Sequence, residues 1–230
     1  MIDFSAFEKN IGYSFKDKNL LTEAFTHRSY LNENPSWQGA HNERLEFLGD
    51  AVLELIVTEA LFARFPEKPE GELTSLRAAL VNANMLSSLA SDLDLNSVLF
   101  LSRGEAKDIG RARGYILANT FEALIGAMYL DGGYDEAKKF IEKNLMPKID
   151  EILEKELFRD AKSLFQERAQ EIAGITPVYR SLEEWGPDHD KHFIVGVYLG
   201  EALIASGEGP SKQAAEQNAA EDAIALKNWK

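Results

Sequence analysis

Apolar residues recur at three- and four-residue spacing through roughly the first 150 residues, as they do in amphipathic helices. The segments with this spacing are LTEAFTHRSYL (21–31), NERLEFLGDAVLELIVTEALFARF (42–65), LTSLRAALVNANMLSSLASDL (73–93), ILANTFEALIGAMYLDGG (116–133) and YDEAKKFIEKNLMPKIDEIL (134–153). Asp131, Gly132 and Gly133 form a helix stop and a new start, because glycine readily takes the left-handed conformation of a helix end. No segment alternates as a strand does, so the pattern predicts an all-helical region.

The pattern changes near residue 150. A helical segment that ends at a glycine is followed by three short strand-like segments: AKSLFQERAQEIAG (161–174), TPVYRSLEEWG (176–186), KHFIVGVYLG (191–200) and EALIASGEG (201–209). The Ala-rich segment that follows is predicted as a helix with Ser211 as its N-cap. The order α-β-β-β-α predicts a compact α+β unit. We therefore predict a first domain over residues 1–152, a linker over 153–159 and a second domain over 160–230.

One side of the helix predicted over residues 42–55 carries only acidic residues. At about 100° per residue, a sector of roughly 80° contains four of them: Glu43, Glu46, Asp50 and Glu54. The opposite side holds the apolar residues that we expect in the core: Leu45, Leu48, Val52, Leu55 and Ile56. Such a stripe is usually a solvated face, but solvated faces normally mix signs because like charges one turn apart repel. Arg44 lies off the stripe, so the stripe does not contain the mixed charges of a solvated face. A binding site is therefore the competing interpretation.

A second polar face occurs on the helix predicted downstream, where Asn119, Glu122 and Gly126 share one side. The space beside Gly126 serves either close helix packing or the approach of a ligand, and the sequence leaves both open. If the two helices pack together, Glu46 and Asp50 converge with Asn119 and Glu122. Carboxylate and amide oxygens without His or Cys are the ligands of a hard cation such as Mg²⁺, which suits metal-assisted phosphodiester hydrolysis.

Composition restricts the remaining classes of function. The net charge of −13 by itself disfavours a nucleic-acid partner, although charges more than about 8 Å apart are largely screened and local patches matter more. The chain has no cysteine, which excludes disulfides and thiolate metal sites and favours a reducing compartment. No apolar run approaches the roughly 20 residues of a membrane span, and the N-terminus lacks a signal-peptide pattern. We therefore expect a cytoplasmic protein without a membrane partner.

Three blocks of the sequence resemble one protein family. HNERLEFLGDAVL (41–53) closely resembles the signature of bacterial ribonuclease III, and THRSYLNEN (26–34) and FEALIGAMYLDGGY (121–134) resemble the same family. The α-β-β-β-α tail resembles the double-stranded-RNA-binding domain that this family carries at its C-terminus. The resemblance covers nearly the whole chain and implies an all-α endonuclease domain followed by a small α+β double-stranded-RNA-binding domain.

The resemblance also implies roles for the polar residues of the two helices. Glu46 matches a metal-binding Glu of the family and Asp50 a catalytic Asp. Glu122 matches a Glu that serves both metal binding and catalysis. Asn119 stands where the family has an Asp, and its amide offers an oxygen ligand without a charge, so metal affinity is expected to be lower.

Further positions are implied only by the resemblance. Glu43 and Glu70 match acidic positions near the RNA path and receive a secondary role. Phe47 lies at the rim of the acidic face and matches a residue that inserts into the partner subunit of a homodimer, while a core Phe is the alternative. The Gly-flanked loop before the second helix carries cations that are expected to meet phosphates or simply to be solvated: Lys107, Arg111 and Arg113.

In the C-terminal domain, the resemblance implies RNA contacts by four residues. Gln166 and Glu167 are expected at one minor groove and His189 at the next. Lys212 is expected at a phosphate, because it stands at a helix N-terminus. Gln213 replaces a lysine usual in the family, and residues 159–230 hold eight Lys and Arg against twelve Asp and Glu, a net charge of −4. We therefore predict weaker RNA binding than that of a basic domain of this fold.

The implied function is that of an endoribonuclease that cleaves double-stranded RNA with Mg²⁺, or Mn²⁺ as a substitute, and without a small-molecule cofactor. The products carry 5′-phosphate and 3′-hydroxyl ends, and the substrates include ribosomal RNA precursors and some mRNAs. A catalytically weakened double-stranded-RNA-binding protein is the alternative, motivated by Asn119 and by the lysine that Gln213 replaces in the C-terminal domain. A helical interaction scaffold is a third interpretation, but it leaves the motif blocks unexplained.

Overall fold

The computed structural model describes residues 4–154, 161–187 and 191–229, and it leaves the side chain of Arg111 undescribed. The chain divides into two compact units, residues 1–158 and 159–230. The described part of the first unit is helical, and that of the second is a three-stranded sheet with two helices, as the sequence predicted. Residues 153 and 154 still belong to a helix, and 155–159 lie outside the described residues, so the limits of the linker stay a prediction.

The helices of the first unit are α1 (Ser5–Ile11), α2 (Lys18–Ala24), α3 (Arg28–Glu33), α4 (Glu43–Arg64), α5 (Glu70–Val81), α6 (Ala83–Asp92), α7 (Arg111–Gly132), α8 (Tyr134–Asn144) and α9 (Lys148–Glu154). Three predicted segments are each divided into two helices. The segment 73–93 breaks at Asn82, whose backbone is extended and whose side chain accepts a hydrogen bond from the Met85 N–H to cap α6. The segment 21–31 breaks before His27, which caps α3, and 134–153 breaks next to Pro147, which has no N–H to donate.

Helices α4 and α7, each of 22 residues, cross at the centre of the first unit. Most of their apolar side chains pack into the core, where Leu53, Phe121 and Leu124 are fully buried. Leu55 was predicted to join them, but 58% of its side chain is exposed. Leu55 lies at the margin of the apolar sector of α4, and the neighbouring helices do not cover this margin.

The second unit consists of α10 (Ala161–Ala173), β1 (Val178–Trp185), β2 (His192–Leu199), β3 (Ala202–Gly209) and α11 (Lys212–Lys227). The sheet is antiparallel in the order β1-β2-β3, and α11 packs on β2 and β3. The predicted cap of α11 is confirmed, since the Ser211 hydroxyl accepts a hydrogen bond of 3.1 Å from the Ala214 N–H. Across the described parts of both units, no helix is both long and apolar enough to cross a bilayer.

Candidate active site

The crossing of α4 and α7 brings two main chains into contact. A Cβ atom on Gly49 would lie 1.7 Å from the carbonyl oxygen of Glu122, and one on Gly126 would lie 2.2 Å from that of Leu45. Of the two interpretations of Gly126, close helix packing is therefore the one the structure supports. Gly49 was not predicted as part of the site, although an isolated glycine inside a helical pattern often has a packing reason.

At this crossing, Asn119 on α7 meets Glu46 on α4. Burial raises the pKa of Glu46, and the negative charges of Glu43 and Asp50 act in the same direction. The side-chain amide of Asn119 acts against them, because an amide N–H that faces a carboxylate favours its charged form. The charges of Glu43 and Asp50 on α4 therefore oppose the ionisation of Glu46, whereas Asn119 on α7 favours it.

Glu122 lies half-buried on the same face of α7. Burial, followed by the charges of Asp50 and Glu46, raises the pKa of Glu122 to about 7. Near neutral pH this carboxyl group therefore exists in both protonation states. A group with such a pKa is suited to proton transfer at physiological pH.

The oxygen donors at the crossing are chemically suited to Mg²⁺ or Mn²⁺. Yet among the described residues no three His, Cys, Asp or Glu side chains are grouped so that they could hold a metal ion. The donor chemistry fits a divalent cation, whereas the carboxylates would have to rotate toward one another to share it. The raised pKa of Glu122 supports the fit, because a cation would relieve the repulsion that opposes its ionisation.

A cavity of about 300 Å³ lies beside this face, lined by Glu46 and Asn119 together with His27, Arg28 and Tyr115. None of the last three was predicted as a site residue, although His27 and Arg28 belong to one of the three motif blocks. Arg28 Nη1 lies 3.3 Å from Glu43 Oε1, so the acidic stripe has a cationic neighbour on another helix. Burial lowers the pKa of His27, which favours a neutral imidazole at the cavity wall.

Other predicted residues of the first unit lie on separate elements. Glu70 is exposed at the start of α5, where its carboxylate accepts a hydrogen bond of 3.1 Å from the Thr74 hydroxyl. Lys107 is exposed at the end of a short 3₁₀ turn. Arg111 and Arg113 were predicted in a loop, but both lie in α7, which begins earlier than the apolar pattern suggested. Arg113 donates from Nε to Asn96 Oδ1 at 2.8 Å, so it is not a freely solvated loop residue.

In the second unit, Gln166 and Glu167 are exposed on α10. Lys212 is the first residue of α11, and its ammonium group lies 3.7 Å from a carboxylate oxygen of Glu184. His189 lies outside the described residues. The RNA contacts of all four residues remain predictions.

Phe47 projects from α4 with 82% of its side chain exposed. The alternative of a core Phe within this chain is therefore wrong. Phe62 and Leu55 on the same helix are also exposed, by 73% and 58%. Together these three side chains form the α4 apolar face.

Comparison with known proteins accounts for both units. A family model described as ribonuclease-III-like matches residues 17–149, and one described as a double-stranded RNA binding motif matches residues 161–227. Ribonuclease 3 of Nitratiruptor sp. is 46% identical over 226 residues, covering 98% of this chain and 97% of the relative. Ribonuclease 3 of Enterococcus faecalis is 45% identical over 218 residues, covering 94% of each chain.

Solved structures resemble the first unit. The nuclease domain of ribonuclease III from Campylobacter jejuni matches with a TM-score of 0.56 and 42% identity, covering 63% of this chain and 99% of that one. That nuclease domain shows structural flexibility in a region involved in dimer formation. Both family models and the near-full-length relatives point to the same assignment. The chain therefore belongs to the ribonuclease III family of double-strand-specific endoribonucleases.

Proposed function

We propose that this chain cleaves double-stranded RNA in a Mg²⁺-dependent hydrolysis, with Mn²⁺ as a substitute, and that the reaction takes place at the crossing of α4 and α7. The observation that carries the proposal is the electrostatic coupling of Glu122 on α7 to Glu46 and Asp50 on α4. Carboxylates that oppose each other's ionisation are expected at a metal site, because a cation bound between them offsets their repulsion.

In this proposal Glu46, Asn119 and Glu122 would hold the ion through oxygen atoms. A bound Mg²⁺ would supply a water of lowered pKa and would stabilise negative charge on the phosphate oxygens. Glu122, with a pKa near 7, holds or releases a proton at its carboxyl group, and the exposed Asp50 orients the reacting water. Hydrolysis breaks the bond between phosphorus and the 3′ oxygen, which leaves 5′-phosphate and 3′-hydroxyl ends.

We also propose that the active form is a homodimer that uses the α4 apolar face (Phe47, Leu55 and Phe62). Exposed aromatic side chains clustered on one helix are typical of a surface that a partner covers. The dimer formation of the Campylobacter nuclease domain supports the same view. Two sites related by a two-fold axis suit the cutting of both strands of a duplex. We further propose that the substrates include ribosomal RNA precursors and some mRNAs, and this proposal rests on the resemblance. The proposal of a cytoplasmic location rests on the composition.

The test uses a perfect RNA duplex with Mg²⁺, and EDTA as the metal-free control. Glu122→Gln should reduce cleavage by at least a hundredfold and leave duplex binding in EDTA unchanged, because it removes a charge and a proton-exchanging group. Glu54→Gln is the matched control, since it makes the same change of charge on α4 at an exposed position. Duplex binding without any cleavage by the unmodified chain would favour the weakened RNA-binding protein instead. Equal activity of both variants would remove Glu122 from the site.

A further inference from the structure

The cations of the second unit are engaged by its own carboxylates. Of its six described Lys and Arg residues, five have a carboxylate oxygen within 4 Å, in the pairs Lys162–Glu216, Arg168–Glu171, Arg180–Glu201, Lys191–Glu184 and Lys212–Glu184. Within the described residues, Glu184 is the one carboxylate of this unit that two lysines share. Most described cations of this unit are therefore neutralised by ion pairs within it.

Glu184 holds the two lysines with different oxygens. Lys191 Nζ donates to Glu184 Oε1 at 2.9 Å, and Lys212 Nζ lies 3.7 Å from Glu184 Oε2. The pairing of β1 with β2 sets Glu184 opposite Phe193, and the Lys212 ammonium group lies 5.6 Å from the centre of that ring. The hydrogen bond from Lys191 and the charge of Lys212 lower the pKa of Glu184. The carboxylate thus stays charged between the lysines at neutral pH.

We propose that Glu184 limits the RNA affinity of this chain by occupying the place of an RNA phosphate between Lys191 and Lys212. The inference rests on the proposed function and deepens it, because it assigns a role in affinity to Glu184 and Lys191. A phosphate oxygen and a carboxylate oxygen accept the same ammonium hydrogen bonds and therefore compete for them. A lysine that is already neutralised within the protein contributes less to phosphate binding, because its ion pair must break before it can neutralise a phosphate and release a counterion from the RNA.

The experiment measures binding of a short RNA duplex by the full-length protein in EDTA, so that cleavage does not interfere. Glu184→Gln should bind about threefold to tenfold more tightly than the unmodified chain, because it removes the carboxylate that competes with phosphates for the Lys191 and Lys212 ammonium groups. Glu201→Gln is the matched control. It removes the same charge from the same unit and breaks the pair with Arg180, but it leaves Lys191 and Lys212 with Glu184. Its affinity should change less than about twofold.

A double-mutant cycle separates this role from a general effect of charge. Lys212→Ala should cost at least threefold more affinity when it is introduced into Glu184→Gln than when it is introduced into the unmodified chain. A merely structural role of Glu184 would instead lower both affinity and melting temperature in Glu184→Gln. Equal affinities for Glu184→Gln and Glu201→Gln, or additive effects in the cycle, would overturn the inference while the proposed nuclease activity stands. Failure of every variant to bind the duplex would overturn the inference and the proposed RNA binding together.

Discussion

Gly49 on α4 touches the main chain of Glu122 on α7, and this contact sets how near the carboxylates of the two helices come to each other. Gly49→Ala would place a methyl group 1.7 Å from the Glu122 carbonyl oxygen, so the helices must separate. We expect a loss of about 3 kcal/mol in the free energy of unfolding, measured in urea, and a marked loss of cleavage.

Gly71 provides the matched control for this substitution. It lies near the start of α5, and a Cβ atom there would meet nothing within 4 Å. Gly71→Ala should leave the free energy of unfolding unchanged or raise it by up to about 1 kcal/mol. A comparable loss in both variants would show that helix separation is not the cause.

Asn119→Asp tests whether a carboxylate at this position strengthens metal binding. The change removes the amide that favours the charged form of Glu46 and adds a negative charge beside it. We expect the Mg²⁺ concentration at half-maximal cleavage to fall about threefold or more, because a carboxylate binds the ion more strongly than an amide. The melting temperature in EDTA should fall as well. Asn84→Asp, at an exposed position of α6, makes the same change of charge and should shift neither metal dependence nor cleavage.

Asp131 should make the stability of the first unit depend on acidity. Burial by itself would raise its pKa, but hydrogen bonds from the Tyr13 hydroxyl and the N–H groups of Asp17 and Lys16 lower the pKa overall. A carboxylate with a lowered pKa stabilises the fold above the ordinary value near 4 and loses this effect as pH falls below it. Asp131→Asn should therefore cost about 1 to 2 kcal/mol at pH 7 and less once the pH has fallen through the lowered pKa, measured by urea unfolding at a series of acidic pH values. Tyr13→Phe removes one of the hydrogen bonds, so its cost should be smaller, and a loss independent of pH would contradict this role of Asp131.

Phe47→Ala tests the proposed dimer. Because the ring is 82% exposed, its removal should barely change the stability of the single chain, whereas the dimer dissociation constant should rise about tenfold or more. Sedimentation equilibrium over a range of concentrations measures this constant. Leu226→Ala, at a residue of α11 that is 68% exposed, should leave the dimer intact. An unchanged dissociation constant for Phe47→Ala would remove Phe47 from the interface.

The dependence of RNA binding on salt reports the number of phosphate contacts. Each contact contributes about −0.9 to the slope of log K against log salt for B-form DNA, which serves as a guide for an RNA duplex. Since most described cations of the second unit are paired internally, the slope for the unmodified chain should be shallower than about −4. Fluorescence titration at several salt concentrations measures it, and a steeper slope would mean that these pairs open when RNA binds.

The sequence alone was enough for the all-helical first domain, the α-β-β-β-α order of the second and the acidic face of the predicted helix. Each of these is a pattern among residues close together along the chain, where helical and strand periodicities act. Helix ends were harder to predict from the sequence. Arg113 was predicted in a loop because the first turns of α7 are polar. Asn82 divides a segment whose apolar spacing continues on both sides.

Only the tertiary structure decided what joins residues that are far apart in the chain. The contact of Gly49 with Glu122, the pKa of Glu122 near 7 and the cavity that includes Arg28 all depend on how separate helices pack. Leu55 shows that burial also depends on packing, since an apolar residue at the margin of a helix face is buried only if a neighbouring element covers it. Periodicity determines which face of an element is apolar, whereas burial, electrostatic coupling and shared ion pairs arise from contacts between elements.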